Sequence, residues 1–283
     1  MHQILVWTWV RIPPTPQKRP EKGVFFGQLP VLFRGLLLWR KSLSLSLLYL
    51  PVALKKLLFS LPLFGNLFRA LILWLRENDI RDSGRNNVIQ ADDALLERCR
   101  IQFRGNENQL IFLPGASVKD CQIELIGDNH RLLIGENVVL TQSILWFEDQ
   151  ECMISIGSGT TMQRNGHIAV TEPGRKIEIG ENCMFSFDVD IRNGDSHSIV
   201  EAATGKRVNW AKNISIGEHV WLGAYTQVLG GADIKKNAVI GIRSLVKGEI
   251  PAGVIAAGIP AKVLRDGFTW DSRRILDGDP GAL

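Results

Sequence analysis

Residues Ile216–Pro251 read IGEHVW, LGAYTQ, VLGGAD, IKKNAV, IGIRSL and VKGEIP when they are cut every six positions. Each block begins with an aliphatic side chain: Ile216, Leu222, Val228, Ile234, Ile240 and Val246. Such regularity exceeds what a 45% hydrophobic composition gives by accident. A helix needs a spacing near 3.6 and a half-buried strand a spacing near 2, so a period of six fits neither. It is typical of a coil of short parallel strands, in which one inward position recurs on each flat side.

The other positions of each block support this interpretation. The second position often holds glycine, at Gly217, Gly223 and Gly241, where we expect an open backbone geometry at little steric cost. The fifth position holds small residues that leave room near a corner: Val220, Ala232, Ala238 and Ser244. The sequence therefore predicts a parallel β-helix whose core consists of stacked aliphatic ladders.

The same template occurs earlier in the chain. The units that share it are Ile134–Leu140, Ile156–Met162, Ile179–Phe185 and Ile216–Leu222. Residues from Ile101 onward show a less regular pattern, which we interpret as imperfect first coils. The segments between the units are Thr141–Met153, Thr171–Lys176 and Gly194–Asn213. We predict that they leave the coil as loops, on the face that often carries the site of a solenoid.

The front of the chain has a different composition. Residues 22–76 contain eight Lys and Arg side chains and no Asp or Glu. Without those eight, 25 basic side chains remain against 29 acidic ones, so the rest of the chain is near −4 although the whole is +4. A basic, apolar front piece on an acidic body favours an anionic membrane surface over nucleic acid as a partner.

Two uncharged apolar runs, Ser42–Leu54 and Leu57–Phe68, are shorter than the roughly 18–20 residues that span a bilayer. Helices lying in the membrane interface would use this composition. The alternatives are helices that pack on the β-helix or on a sister subunit, and a true span. A cytoplasmic location is expected, with peripheral attachment to the inner face of the cell membrane left open.

The sequence therefore divides into four parts. Residues 1–23 are predicted to be a disordered N-terminus, and residues 24–98 an apolar, basic α-helical segment followed by a polar connector from residue 77. Residues 99–267 form the predicted β-helix. Residues 268–283 are a polar tail that we expect to form a short helix.

The four cysteines are widely spaced, at Cys99, Cys121, Cys152 and Cys183. No CxxC pair occurs, so a zinc knuckle or a redox motif is not indicated. We expect packing residues or free thiols, since a buried cysteine behaves as a small hydrophobic residue.

Three stretches carry a resemblance to a known family. They are DIRNGDSHSI at Asp190–Ile199, NISIGEHVWLG at Asn213–Gly223 and GVIAAGIPAKVLR at Gly253–Arg265. The chain resembles the hexapeptide-repeat acyltransferases over about residues 100–267, most of all the sugar and polysaccharide O-acetyltransferases. The resemblance implies a left-handed parallel β-helix, a homotrimer with active sites between subunits, and O-acetylation of a sugar or glycan hydroxyl. It also implies acetyl-CoA as co-substrate and no metal.

Acetyl transfer to a hydroxyl needs a base near the acceptor oxygen and stabilisation of the oxyanion. His197 matches the catalytic histidine of the family, and neutral imidazole is a competent base near pH 7. Asp195 is two residues earlier and is a candidate for orienting the ring, as an acid partner does in a triad. The competing interpretation is a loop histidine that caps a turn.

The resemblance also implies the residues that would bind CoA. Main-chain groups near Ala224 and Ile242 match positions that contact pantetheine. Trp221 is an outward position of its block, and it is a candidate either for the border of the same groove or for packing at the subunit contact. Basic side chains match positions near the nucleotide phosphates, and they suit phosphate chemically. These are Lys247, Lys262 and Arg265. The family often has Thr-Lys where this chain has Lys247-Gly248, and all of these residues could instead be surface side chains.

Other functions remain open at this point. A zinc-dependent carbonic anhydrase of the same fold needs three ligating histidines, but His167, His197 and His219 lack the close pair which that family shows. His130, His167 and His219 are predicted to be structural or surface residues. The remaining alternatives are an N-acyltransferase acting on an amino-sugar and a non-catalytic trimeric scaffold docked on a membrane.

Overall fold

The computed structural model describes Leu73, residues 76–91 and residues 93–276. In this part of the chain, twenty-five strands wind into a parallel β-helix with three flat faces, which we call A, B and C. Each coil contributes one strand to face A, the next to face B and the third to face C. The predicted fold is therefore confirmed for the described residues, and the predicted N-terminal helices lie outside them.

Faces A and B each contain eight parallel strands. Face A consists of β1 (Asp79–Asp82), β4 (Arg100–Arg104), β7 (Gln122–Ile126), β10 (Ile144–Phe147), β13 (His167–Val170), β16 (Asp190–Arg192), β19 (Gln227–Leu229) and β22 (Leu245–Val246). Face B consists of β2 (Val88–Gln90), β5 (Gln109–Phe112), β8 (Arg131–Ile134), β11 (Met153–Ile156), β14 (Lys176–Ile179), β17 (Ile214–Ile216), β20 (Asp233–Ile234) and β23 (Glu249–Ile250).

Face C contains nine strands. They are β3 (Leu95–Glu97), β6 (Ser117–Lys119), β9 (Val139–Thr141), β12 (Thr161–Met162), β15 (Met184–Phe185), β18 (Trp221–Leu222), β21 (Val239–Ile240), β24 (Val254–Gly258) and β25 (Ala261–Asp266). The last strand, β25, is antiparallel to β24 and ends the face as a hairpin. We name the corners by the faces that the chain joins there: the A–B, B–C and C–A corners.

Aliphatic ladders fill the interior of the prism, as the six-residue period predicts. On face B, in-register pairing stacks one inward side chain of every coil above the next. That ladder consists of Phe112, Ile134, Ile156, Ile179, Ile216, Ile234 and Ile250, all at most 4% exposed. Full burial of such a side chain contributes about 1.5–3 kcal/mol, so the ladders are the main source of stability.

The reason for glycine at the second position differs from the prediction. Neither Gly217 nor Gly223 has a positive φ. Instead, a Cβ atom on either residue would lie 2.7 Å from a main-chain nitrogen of the next coil, so only glycine allows the coils to stack this closely. The left-handed backbone occurs at the fourth position, as at His219 (φ 54°) and Tyr225 (φ 59°).

The early coils are larger than the late ones. The coil from Gln227 to Leu245 has the length of three six-residue blocks, whereas the coil from Gln122 to Ile144 is four residues longer. The strands of faces A and B are also longer there, as in β7 and β10. Longer strands change the six-residue spacing between equivalent inward positions, and so shift the phase of the repeat, but they do not interrupt the coil.

This phase shift explains two wrong boundaries. The predicted loop Thr141–Met153 contains β10 on face A, and the predicted connector at residues 77–98 contains β1, β2 and β3. Among the described residues, the first strand of the β-helix is β1 at Asp79, ahead of the predicted start at residue 99. The predicted loop Thr171–Lys176 is a short turn at an A–B corner that ends where β14 begins at Lys176, and of the three predicted loops only Gly194–Asn213 leaves the prism as a long loop.

The C-terminal tail is not helical in its described part, Phe268–Leu276. It lies against the prism through Trp270, whose ring is stacked on His219 with 4.2 Å between the ring centroids. Within the described ranges, no helix is both long and apolar enough to cross a bilayer.

Candidate active site

The long loop Gly194–Asn213 leaves the prism at the A–B corner, between β16 and β17. Asn193 fixes the point of departure, because its buried side chain accepts a hydrogen bond from the Thr171 amide and donates one to the Thr171 carbonyl. The loop folds into a small hairpin, in which the Val208 amide donates to the Ile199 carbonyl over 2.9 Å. It therefore has a defined conformation although its side chains are mostly exposed.

His197 is an exposed residue near the start of this loop. It follows Ser196, whose left-handed backbone (φ 57°) turns the chain sharply. The main-chain carbonyl of His197 accepts a hydrogen bond from Asn209 over 2.7 Å. Among the described residues, no hydrogen bond to either ring nitrogen is present, so the imidazole is accessible to a substrate.

Asp195 does not contact the His197 ring. Its carboxylate accepts a hydrogen bond from the Asn209 side chain over 2.9 Å. The expected acid–imidazole contact is therefore not made in this structure. Asp195 and His197 are instead connected through Asn209, which no sequence motif singles out.

Glu172 anchors the loop to the preceding coil. Its carboxylate forms an ion pair with Arg207 and accepts a hydrogen bond from the Ala211 amide over 3.0 Å. The Arg207 guanidinium also lies over the Trp210 ring, 4.5 Å from its centroid. The sequence signal for this arrangement is weak: Gly205 marks the turn of a hairpin, but nothing points to Glu172.

A second set of predicted residues lies at the C–A corner. Ala224 and Ile242 occupy equivalent positions in consecutive coils, and the Arg243 amide donates to the Ala224 carbonyl. The main-chain N–H groups of Ala224 and Ile242 have no hydrogen-bond partner among the described residues. Two such donors, one coil apart, suit an extended ligand with carbonyl acceptors that runs along the corner.

The outer side of this corner carries a ladder of cationic and aromatic side chains. Arg164 lies over the Phe187 ring (5.6 Å), Phe187 meets Tyr225 edge to face (5.3 Å), and Arg243 lies over the Tyr225 ring (5.1 Å). The ladder was not predicted from the sequence, because its members are separated by whole coils. It places Arg243 beside Ile242.

Two of the three predicted basic residues lie on face C, beside this corner, and the third lies at the A–B corner. Lys247 follows β22 of face A, whereas Lys262 and Arg265 lie in β25 of face C, and all three are exposed. Trp221 lies on face C in the same row as Arg265, since register pairs connect Trp221 to Val239, then to Ile255, then to Arg265. The structure thus brings all the predicted CoA-binding residues except Lys247 to face C and the C–A corner.

Within one chain, the His197 loop and the residues of the C–A corner are not close together. The loop with His197 begins at one edge of face A, and the corner with Ala224 and Ile242 is at the other. Strand β16 has three residues, so about 10 Å of strand and a corner lie between the two edges.

The other histidines have structural surroundings. His130 is fully buried; burial lowers its pKa, and its Nδ1 accepts a hydrogen bond from the Cys152 amide. His219 contacts Asn237 through Nδ1 over 3.0 Å and is covered by Trp270. Both rings are therefore packed and hydrogen-bonded within the structure.

His167 belongs to a cluster on face A with Asp190 and Arg192. The His167 ring and the Arg192 guanidinium both donate hydrogen bonds to the Asp190 carboxylate, over 3.0 and 2.9 Å. Burial raises the pKa of Asp190, but the His167 hydrogen bond and the Arg192 charge outweigh it, so the net pKa is below its usual range. His167 is thereby hydrogen-bonded to the ion pair of Asp190 with Arg192.

The cysteines are buried and free, which confirms the packing interpretation. Burial raises the pKa of Cys121 and of Cys152 to about 12 and that of Cys183 to about 11, so these thiols are protonated at neutral pH. In the part of the chain that the structure describes, no cluster of three or more His, Cys, Asp or Glu side chains is placed to hold a metal ion.

No model of a known protein family matches the chain. It is 33% identical over 151 residues to a polysialic acid O-acetyltransferase of Neisseria meningitidis, a match that covers 53% of this chain and 69% of that protein. It is 34% identical over 126 residues to a galactoside O-acetyltransferase of Lactococcus lactis, which covers 43% of this chain and 60% of that protein. The crystal structure of the polysialic acid O-acetyltransferase OatWY superimposes with a TM-score of 0.66 at 30% identity, covering 71% of this chain and 94% of that one.

Proposed function

Because this chain belongs to the hexapeptide-repeat acyltransferases, in the branch of the sugar and polysaccharide O-acetyltransferases, we propose that it transfers an acetyl group from acetyl-CoA to a hydroxyl of a sugar or polysaccharide. One observation carries the proposal: an accessible imidazole, that of His197, stands on the single long loop of the described solenoid. The relatives supply the reaction class, and the loop supplies the group that the reaction needs.

In the proposed reaction, the neutral His197 imidazole accepts the proton of the acceptor hydroxyl as its oxygen attacks the thioester carbonyl. The tetrahedral oxyanion collapses and the carbon–sulfur bond breaks. The imidazolium then returns its proton to the leaving thiolate, so that the products are the acetyl ester and free CoA. Asp195 contributes through Asn209, and not through a direct bond to the ring.

The C–A corner fits acetyl-CoA. The amides of Ala224 and Ile242, which have no partner in the part of the chain that the structure describes, suit the carbonyl groups of the pantetheine arm. Arg243 at the corner and Lys262 and Arg265 on the adjoining face C provide positive charge with which phosphates would pair. Lys247 adds a further cation at the other edge of face A. Neutral amide donors for the arm and cations for the nucleotide are the two kinds of contact that this molecule needs.

Turnover of the full chain tests the function. With acetyl-CoA and a panel of glycans, we expect release of CoA thiol and an acetylated product, and His197→Ala should lower kcat by about 10²–10⁴-fold. Thr204→Ala, at the exposed tip of the same loop, is the matched control. Near-normal turnover by His197→Ala would remove this histidine as the base, and activity on amino-sugars alone would favour N-acylation.

A homotrimer is part of the same proposal. Since one chain holds the His197 loop and the C–A corner at opposite edges of face A, a neighbouring copy would bring the corner of one chain to the loop of the next. The loop also exposes apolar side chains that such a contact would cover: Ile199, Val200, Val208 and Trp210. Burying them would favour association.

Mixed oligomers test this arrangement. At an acetyl-CoA concentration well below KM, mixed oligomers of His197→Ala chains with chains carrying Lys262→Ala and Arg265→Ala should be more active than either variant alone, because some sites then combine an intact loop with an intact corner. Each variant alone is the control. Absence of any recovery in confirmed mixed oligomers would show that each chain contains a complete site.

We also propose that the protein is cytoplasmic and that residues 24–76 dock it on the anionic inner face of a membrane, as the eight basic side chains and the lack of acidic ones over residues 22–76 suggest. The full chain should float with anionic vesicles, whereas a variant beginning at Glu77 should not. Equal flotation of the two proteins would contradict the proposal.

A further inference from the structure

The Asn209 side chain forms hydrogen bonds with the part of the loop that carries His197. Its Nδ2 group donates to the Asp195 carboxylate over 2.9 Å and to the His197 carbonyl over 2.7 Å. Its Oδ1 accepts hydrogen bonds from the Ile199 amide over 2.7 Å and from Arg207 Nε over 3.1 Å. A side-chain amide offers two N–H donors and one oxygen with two lone pairs, so Asn209 uses its whole hydrogen-bonding capacity on the loop.

The position of Asn209 is itself fixed by the prism. Arg207 donates to the Asn209 carbonyl over 3.2 Å as well as to its side chain, and it forms the ion pair with Glu172. The Glu172 side chain is only 12% exposed and belongs to the preceding coil. Contacts therefore run without a gap from the prism through Glu172 and Arg207 to Asn209, and from there to the main chain of His197.

We propose that Asn209 is the positioning residue for His197 and that the Arg207–Glu172 ion pair holds Asn209 in place. The inference rests on the proposed function, in which His197 is the base. The His197 ring is exposed and has no hydrogen-bond partner among the described residues. Its position is therefore determined by the position of the His197 main chain. A misplacement of about 1 Å can lower a rate by about 100-fold, and Asn209 is the group that prevents it.

The first test is Asn209→Ala in the full chain. We expect kcat to fall about 10–100-fold, while KM for acetyl-CoA and the Tm stay close to those of the unchanged protein, because the co-substrate is held at the C–A corner and the loop is exposed. Asn86→Ala is the matched control, since Asn86 also donates from Nδ2 to a carboxylate, that of Glu107, over 2.6 Å, but in the first coil. An unchanged kcat in Asn209→Ala would overturn the proposal.

Asn209→Asp keeps the shape and the accepting oxygen but removes both donors. It should show the same loss of kcat, and it covers the case in which Asn209→Ala does not fold. The exchange Asp195→Asn with Asn209→Asp is more specific. It restores an amide–carboxylate hydrogen bond between the two positions but not the bond to the His197 carbonyl, so activity should stay low. Full activity in this double variant would contradict the proposal that Asn209 acts through the main chain of His197.

Combination with His197→Ala separates positioning from a general structural role. If Asn209 acts through His197, adding Asn209→Ala to His197→Ala should cause no further loss of the residual activity. A further loss of tenfold or more would indicate a structural role and contradict the proposal. The failures are distinguishable: full activity in His197→Ala removes the proposed base, whereas a defect in His197→Ala with normal Asn209 variants removes the positioning role alone.

Discussion

The interior of the prism and the loop Gly194–Asn213 are held by different forces. The interior consists mostly of aliphatic side chains, with a few aromatic rings among them, stacked coil upon coil and closed to water. The loop exposes its apolar side chains and is held by polar groups, chiefly Asn209 and the Glu172–Arg207 ion pair. Burial of apolar surface is not directional, whereas each hydrogen bond fixes particular atoms. Stability therefore belongs mainly to the interior, and the exact placement of reactive groups to the loop.

Removing an interior aromatic ring should give the largest effect on stability. Phe185 is fully buried on face C, and Phe185→Ala should lower the free energy of unfolding by about 3–5 kcal/mol, because the cavity cannot close completely. Phe187→Ala, two residues further on at the outer surface, should cost about 1 kcal/mol through its lost contact with Tyr225. Urea unfolding measures both changes. Equal costs would show that the outside of the prism is as important for stability as its interior.

Basic residues at the outer surface should affect the binding of acetyl-CoA and leave the stability of the fold unchanged. The double variant Lys262→Ala with Arg265→Ala should raise KM for acetyl-CoA by about tenfold or more, with an unchanged Tm, since exposed cations that pair with phosphate add little to folding. Steady-state kinetics at low and high salt measures the effect, which should shrink as salt screens the charges.

The matched control is Lys235→Ala with Lys236→Ala. These two lysines lie beside β20 and pair with Asp233 and Glu218, away from the C–A corner. A rise in KM of the same size in this control would mean that overall charge, and not the corner, attracts the co-substrate.

Asp190 is an outward residue that should nevertheless affect stability. Its carboxylate is largely buried between His167 and Arg192, and its pKa is lowered in the folded protein. A lowered folded-state pKa contributes stability that is complete above the ordinary carboxyl pKa of about 4 and is lost as pH falls through the folded value. Asp190→Asn should cost about 1–2 kcal/mol at pH 7, and the difference from the unchanged protein should vanish in strong acid.

Chemical unfolding across a pH series checks this expectation. Asp233→Asn is the control, because Asp233 pairs with Lys235 at an exposed site and should contribute within about 0.5 kcal/mol. A cost for Asp190→Asn that stays constant down to the most acidic pH would show that the charge of Asp190 is not its source.

The same contrast explains what the sequence could predict. Each inward position repeats along the chain, so Ile216, Ile234 and their equivalents form a pattern that the sequence alone displays. The pattern weakens in the early coils, where longer strands such as β7 change the spacing, and two boundaries were misplaced for that reason. The break at Gly194–Asn213 was visible because the period stops there completely.

The contacts within the loop, and those between the loop and the prism, could not be predicted from a repeating pattern. Glu172, Arg207 and Asn209 meet because the chain returns to the same corner, and no spacing between them is required by the fold. The expected contact between Asp195 and the His197 ring followed from their closeness in sequence, but the hairpin directs the carboxylate to Asn209 instead. Periodic burial can be read from one sequence, whereas single polar contacts between distant residues cannot.

The C-terminal tail should show the smallest effect, and it tests where the interior ends. Trp270 is stacked on His219 at an interplanar angle of 6° and donates from Nε1 to the His219 carbonyl over 2.8 Å. Both contacts lie outside the prism, so Trp270→Ala should lower the free energy of unfolding by only about 1 kcal/mol. Trp270→Phe keeps an aromatic ring for the stack and loses the hydrogen bond, so its cost should lie between zero and that of the alanine variant. Urea unfolding of the two variants checks this order. A cost for Trp270→Ala as large as that of Phe185→Ala would place the tail among the elements that hold the fold, since an aromatic ring that merely covers a corner cannot leave a cavity behind it.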